Sequence, residues 1–461
     1  MDYAGKRITV MGLGRFGGGV GVTQFLSSRG ATLTVTDMSS PDQLAESVAA
    51  VRGLPGVSLV LGEHREQDFR DADLIVANPA VKPINAYLQI ARDAGVPITT
   101  EIVLLVRELP DRKRTIGVTG SAGKSTTTAM IGHILRKAFG QEGDTPNPSR
   151  DTPGVWVGGN LGGSLLPTAD QIRPDDWVVL ELSSFMLHYL REEEWSPHVA
   201  VVTNLSPNHL DWHGTVEAYR IAKHSILDCQ QWGDKAILPK NLRWMARIGT
   251  NQELVDTDLL ENRETSSLHA DQLISLPGIH NFINAVFAQR AVSRATGQKF
   301  IPRVGTDFIG LPHRLQFVGK LDMGDGEARF YNDSKSTTPE ASIRAMNSFV
   351  AGSVHTILGG YDKGVDLSEL CRIAAQCCVG VYTIGATGER IAEAMDQSFD
   401  QKLKTLWVER CEFLDIAVSK IKKNVRPGDV VLLSPGCASW DQFANYEERG
   451  ERFIALVRGE A

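Results

Sequence analysis

Seven consecutive residues, Gly120-Ser121-Ala122-Gly123-Lys124-Ser125-Thr126, carry the most specific chemistry in this sequence. They follow the apolar, β-branched run Thr115–Thr119 and lead into Thr127, Thr128, Ala129, Met130 and Ile131 in helical register. Backbone N–H groups of a glycine-rich loop at a helix N-terminus converge on phosphate oxygens, and a lysine adds a point charge toward the β- and γ-phosphates. The hydroxyl of Ser125 or Thr126 suits Mg²⁺. The spacing is GxxGKS, two residues shorter than the common GxxxxGKS loop, which sets it apart from most motor and GTPase loops. An ATP-phosphate cradle is expected here.

A second glycine-rich turn, Gly12-Leu13-Gly14-Arg15-Phe16-Gly17, follows the opening strand, and Asp37 stands twenty residues beyond Gly17. That is the spacing of a dinucleotide fingerprint, in which the glycines admit a pyrophosphate and the acid binds a ribose. A nicotinamide dehydrogenase and a different nucleotide-diphosphate site both fit it. Glu181 ends the otherwise apolar run Trp177–Leu182, where a carboxylate is costly unless paired or metal-bound. His209 follows the run Val199–Thr203 and reads either as a metal ligand or as a hydrogen-bonded structural residue. Val216, Tyr219, Lys223, Ile226 and Leu227 share one helical face, so Lys223 either snorkels its charge to the rim or is buried with a depressed pKa.

Short apolar strands alternating with helical patterns argue for an α/β protein with parallel sheets. A chain of 461 residues exceeds one ordinary core. Three domains are expected: residues 1–110 (Rossmann-like), 111–311 (a P-loop-type central domain) and 312–461 (Rossmann-like). Expected strands of the last include Ala328–Tyr331, Val354–Leu358, Val379–Ile384, Thr405–Val408 and Val430–Leu433. Gln141 to Gly154 is a polar, proline-rich surface loop, and Asn241–Ser275 is uninformative. A net charge of −7 without a Lys/Arg-rich block argues against nucleic-acid or anionic-membrane surfaces. The six cysteines show no CxxC pairing, and the chain enters a strand almost at once, so a reduced, cytoplasmic protein is expected.

Further segments occur in a telling order: Gly158-Gly159-Asn160-Leu161-Gly162, Leu180-Glu181-Leu182-Ser183-Ser184-Phe185, Asn204–Gly214, Tyr219–Lys223, Gly278–Ala285 and Leu311-Pro312-His313-Arg314. Asn332–Thr337, Gly359–Lys363 and Ser434–Phe443 complete it. With the shortened phosphate loop, this series resembles the Mur ligases, ATP-dependent enzymes that extend the peptide of the bacterial cell-wall precursor, and covers nearly the whole chain. The GxGxxG turn and the final segment resemble the D-glutamate-adding branch. The resemblance implies an ATP-dependent ligase joining D-glutamate to UDP-N-acetylmuramoyl-L-alanine through an acyl phosphate, acting as a monomer in peptidoglycan synthesis. It implies catalytic roles for Lys124, His209 and Lys223, and two Mg²⁺ held by Ser125, Glu181, His209 and a carbamylated Lys223. Residues Gly120 to Thr126, Asn281, Asn284, Arg314 and Asp333 would hold ATP. The precursor would meet Gly14, Arg15, Phe16, Gly17, Asp37, Asn78 and Asn160; the amino acid would meet Lys335, Thr337, Lys363, Ser439 and Tyr446.

Three positions depart from the family pattern. Ala122 replaces a usual asparagine, Asn208 a common aspartate before His209, and Met186 a usual glutamine. A folylpolyglutamate synthase uses the same chemistry but begins directly at the phosphate loop, which the opening GxGxxG domain argues against. A catalytically silent nucleotide-binding module is the alternative outside the enzymes.

Overall fold

The computed structural model describes residues 2–14, 17–147, 149–242, 244–261, 276–298, 304, 307–398 and 406–460. Arg15 and Phe16, both expected at the precursor, lie outside them. Three sheets account for the strands. In the first, β1 (Arg7–Met11), β2 (Thr32–Asp37), β3 (Val57–Leu61), β4 (Leu74–Ala77) and β5 (Ile98–Thr100) run parallel in the order β3-β2-β1-β4-β5. Chain connections leave β1 in opposite directions, which opens a crevice beyond its carboxyl end.

The second sheet is also parallel, with order β11-β10-β9-β6-β8-β7. It comprises β6 (Thr115–Thr119), β7 (Val155–Gly159), β8 (Trp177–Glu181), β9 (Val199–Val202), β10 (Lys235–Pro239) and β11 (Asn251–Val255). Because β6 lies between β8 and β9, the phosphate loop, Glu181 and the Thr203 turn leave three neighbouring strands at one edge. Burial is complete along β6, β8 and β9, as expected of a sheet covered by helices on both faces.

The third sheet departs from the all-parallel expectation. β12 (Gln316–Asp322) pairs antiparallel with β13 (Glu327–Asn332), while β14 (Val354–Gly359), β15 (Cys378–Ile384), β16 (Trp407–Glu412) and β17 (Val430–Leu433) are parallel, in the order β12-β13-β17-β14-β15-β16. A short hairpin adds β12 at the edge without a crossover helix. Only Val318 of β12 is buried, so the strand carries almost no apolar signal.

By internal contacts the chain forms two compact units, one of Met1–Asn262 with Ile283–Val304, the other of Arg263–Phe282 with Gly305–Ala461. In the first unit one apolar core runs through both sheets, joining Val10, Leu104 and Leu105 to Leu180 and Leu187. The second unit packs its sheet between two apolar layers, around Leu358 and Leu370 on one face and Ile357 and Phe453 on the other. Among the described residues no helix is long and apolar enough to cross a membrane.

Candidate active site

The loop after β6 turns sharply because two glycines permit it. Gly120 has φ +148°, and a Cβ there would overlap the Thr203 hydroxyl. Gly123 caps the helix Lys124–Phe139 at φ 79°, and a Cβ there would lie 2.5 Å from Asn284 Oδ1. The loop is held from outside by the turn after β9. Ala122 N–H donates to Asn204 Oδ1 at 2.9 Å, and Asn204 Nδ2 donates back to the Ala122 carbonyl at 2.9 Å. The Thr203 hydroxyl donates to that same carbonyl at 2.6 Å. The polar contacts at position 122 are therefore made by its backbone, and the alanine leaves them intact.

Ser121 completes the clamp. Its hydroxyl lies 2.8 Å from the Ser206 carbonyl and 2.8 Å from Tyr219 Oη, and it accepts Ser206 N–H at 2.9 Å. A carbonyl can only accept, so the Ser121 proton goes to Ser206 and Tyr219 is the donor to Ser121. Tyr219 stands one helical turn before Lys223 in the helix Val216–Asp228, which Thr215 caps by accepting Ala218 N–H. One tyrosine thus ties the lysine-bearing helix to the phosphate loop.

Lys223 does not snorkel: it is 2% exposed, donates to Thr119 Oγ1 at 3.1 Å and sits 5.1 Å over the Tyr219 ring. Burial pushes its amine well below the usual lysine value, the Lys124 cation pushes the same way, and Glu181 opposes them. Glu181 is 1% exposed; its Oε1 accepts Asn160 Nδ2 at 2.9 Å, while Oε2 is buried with no hydrogen-bond partner among the described residues. An orphaned carboxylate oxygen at the edge that carries the phosphate loop is what a hard cation requires. Among the described residues no three His, Cys, Asp or Glu side chains gather as a cage. Mg²⁺ binds through one or two carboxylates, water and substrate phosphates.

His209 is exposed, in the left-handed region at φ 52°, at the N-cap of Leu210–His213. The Asn208 side chain accepts the His209 backbone N–H at 2.8 Å and does not touch the imidazole, whose ring packs edge-on against Phe185 at 4.9 Å. Although the residue as a whole is exposed, partial desolvation of its ring, with the Lys124 and Lys223 cations nearby, lowers the His209 pKa and favours the neutral ring that a metal needs. His213 Nε2 lies 2.9 Å from the Ser184 hydroxyl, and burial brings its pKa down to about 4.

Beyond β1, Gly14 N–H donates to Asp37 Oδ2 at 3.0 Å and Ser39 N–H to Oδ1 at 2.8 Å. The Asp37 carboxylate thereby holds the glycine turn itself. Asn78 lies against Gly12 and Gly14. Both glycines, Asn78, Asn160, Phe185 and Met186 line one cavity of about 550 Å³. Asn160 thus bridges this cavity to Glu181. Met186 is 8% exposed and gives the cavity an apolar wall where a glutamine is usual.

In the second unit, Asp333, Ser434 and Gly359–Gly360 end the adjacent strands β13, β17 and β14. Asp333 accepts the Ser336 and Ser434 hydroxyls on Oδ2 and Leu315 N–H on Oδ1, and burial raises its pKa to about 6. Both oxygens serve the fold. Arg314 acts on it electrostatically. Lys335 Nζ stands 5.0 Å over the Tyr446 ring and Lys363 Nζ 4.8 Å over Trp440. Ser439 is buried in the following turn, and Thr337 N–H bonds Lys335 O. Sequence reading missed Arg449, which is 1% exposed. Its guanidinium donates to Ser334 and to the Cys437 and Ala438 carbonyls, joining the loops after β13 and β17. Asn281 and Asn284 share the helix Ile279–Thr296; Asn281 Nδ2 donates to Pro277 O at 2.7 Å.

Three family models match the chain in order. Residues 6–100 match the N-terminal domain model of MurD-like Mur ligases, residues 118–292 the Mur ligase middle domain, and residues 313–437 the Mur ligase glutamate ligase domain. The UDP-N-acetylmuramoylalanine--D-glutamate ligase of Roseiflexus sp. is 38% identical, over 99% of this chain and 99% of its own. The protein of that name from Koribacter versatilis is 35% identical, over 99% and 98%. The crystal structure of the UDP-N-acetylmuramate-alanine ligase MurC from Thermotoga maritima shares the fold, with a TM-score of 0.56 at 19% identity over 99% of this chain and all of that one. The chain belongs to the Mur ligase family, with a MurD-like N-terminal domain.

Proposed function

We propose that this chain is an ATP-dependent ligase that adds D-glutamate to UDP-N-acetylmuramoyl-L-alanine in peptidoglycan precursor synthesis. The observation that carries the reading is the buried Glu181 Oε2, without a hydrogen-bond partner among the described residues, at the edge that also carries the clamped phosphate loop and buried Lys223. Those three features suit phosphoryl transfer to a carboxylate, where the protein's task is positioning and charge neutralisation.

In this reading residues 1–110 bind the precursor, with the diphosphate at Gly14–Gly17 and the uracil toward Asp37, Asn78 and Asn160 assisting. Residues 111–311 hold ATP on Gly120–Thr126, with Asn281 and Asn284, and residues 312–461 supply Arg314 and Asp333. Ser125, Glu181 and His209 would hold Mg²⁺, which would neutralise charge on the phosphates. Lys124 holds the γ-phosphate while it passes to the L-alanine carboxylate, giving an acyl phosphate. The D-glutamate amine, positioned through Lys335, Thr337, Lys363, Ser439 and Tyr446, then attacks the acyl carbon; the amide forms and phosphate leaves. Lys223 is read as carbamylated: its neutral amine would add CO₂ and release a proton, giving a metal-binding anion in place of a metal-repelling ammonium, and this anion would accommodate a second Mg²⁺. A cytoplasmic monomer completes the reading.

The test is ADP formation with UDP-N-acetylmuramoyl-L-alanine against a panel of D- and L-amino acids. D-Glutamate is expected to stand alone in supporting turnover. ADP release that ignores both precursor and amino acid would overturn the proposal.

A further inference from the structure

The cavity of about 550 Å³ beyond β1 contains one ionisable side chain among its described lining residues, Glu101. Glu101 opens the helix Glu101–Glu108 directly after β5 and is 7% exposed. Its Oε1 accepts the Ser164 hydroxyl at 2.6 Å. No charged side chain from β1, β4, the helix Gly18–Ser28 or the segments Gly159–Ser164 and Ser183–Met186 lines the cavity with it. Apolar groups and the neutral amides of Asn78 and Asn160 form much of the remaining wall. A cavity suited to a nucleotide diphosphate therefore presents a carboxylate to an anion.

We propose that Glu101 is a proton-linked specificity group of this cavity: the anionic nucleotide-sugar precursor binds with Glu101 protonated, taking up one proton from solvent, and the ionised carboxylate rejects it. The inference rests on reading the cavity as the precursor site. Ionised, Glu101 faces like charge in a poorly solvated space; protonated, it is a neutral wall with an O–H donor. Burial raises its carboxyl to about 7, with the Ser164 hydrogen bond opposing, so both forms exist near neutrality. The diphosphate and carboxylate of the precursor stay ionised between pH 6 and 8, and the lowered pKa values of His209 and His213, which stand behind Phe185 and Ser184, keep those rings largely neutral there, so Glu101 is the described lining residue whose charge changes.

The experiment is calorimetric binding of UDP-N-acetylmuramoyl-L-alanine to the full chain, without ATP, from pH 6 to 8 in two buffers of different protonation heat. The dissociation constant is expected to rise about tenfold across that range, with close to one proton taken up per site at pH 8. Glu101→Gln is expected to bind with a pH-independent constant, no proton uptake, and higher affinity than the parent at pH 8. Binding by the parent without proton uptake, or an equal pH slope in both proteins, overturns the inference. The two-buffer measurement on the parent decides it alone if the variant does not fold. Absence of precursor binding at every pH overturns the precursor-site reading together with this one.

Discussion

Replacing Asn204 by alanine isolates the clamp on the phosphate loop. The Asn204 amide makes two hydrogen bonds to the backbone of Ala122, both at 2.9 Å, across 82 residues of sequence. Each is worth about 1 kcal/mol net, so the loop loses about 2 kcal/mol of the free energy that holds its N–H groups convergent. Thr203 still holds the Ala122 carbonyl, which limits the loss to that order. If ATP binding must then order the loop, its apparent affinity falls by up to ~30-fold, at about 1.4 kcal/mol per decade. The expected result is a KM for ATP raised ~10- to 30-fold, with the KM values for the precursor and amino acid within about twofold of the parent. Asn204→Asp keeps the acceptor for Ala122 N–H, loses the donor to its carbonyl, and places an anion beside the phosphates; it is expected to be at least as impaired. An ATP KM within twofold of the parent in Asn204→Ala would refute the reasoning, because the loop would then hold its shape unaided.

Lys124→Ala is expected to abolish D-glutamate-dependent phosphate release, since no other described residue of the loop supplies a cation; near-normal turnover would remove the phosphate-loop assignment. Lys223→Ala should lose more than about a hundredfold in kcat and regain part of it with a small added carboxylic acid; full activity without rescue would count against the carbamate. Asp176 accepts the Gly154 N–H, the Trp156 indole N–H, the Arg173 N–H and the Arg150 guanidinium within a fully buried pocket. Asp176→Ala leaves those donors without an acceptor, and urea unfolding should show a loss of about 3 kcal/mol; a change under about 1 kcal/mol would mean the loop before β7 is anchored elsewhere.

What the sequence made legible was local. β6 and β8 are runs of buried β-branched and apolar residues, the phosphate loop has glycine where the backbone needs it, and Lys223 stands on a clear apolar stripe. Lys223 is accordingly buried. Contacts between distant segments were not legible. The quoted motif Asn204–Gly214 contained the clamp residue, but nothing in a linear pattern shows that Asn204 grips Ala122 or that Tyr219 donates to Ser121. Weakly amphipathic edges were missed too: β11 buries one residue of five, and β12 one of seven. Asp37 shows a subtler limit, because spacing identified the acid while the structure gives its carboxylate to the glycine turn.

The Arg449 guanidinium has a consequence for how the second unit moves. Five donor contacts, all between 2.9 and 3.2 Å, spread over Ser334, Cys437 and Ala438. Burial lowers its pKa only to about 10, so the cation persists at neutral pH and must keep these acceptors. If either loop opened alone, a buried charge would lose part of its solvation. The loops after β13 and β17 are therefore one cooperative opening unit in the sense of local unfolding. Fluctuations that admit or release a ligand at this sheet edge must either move both loops with the arginine or leave both in place.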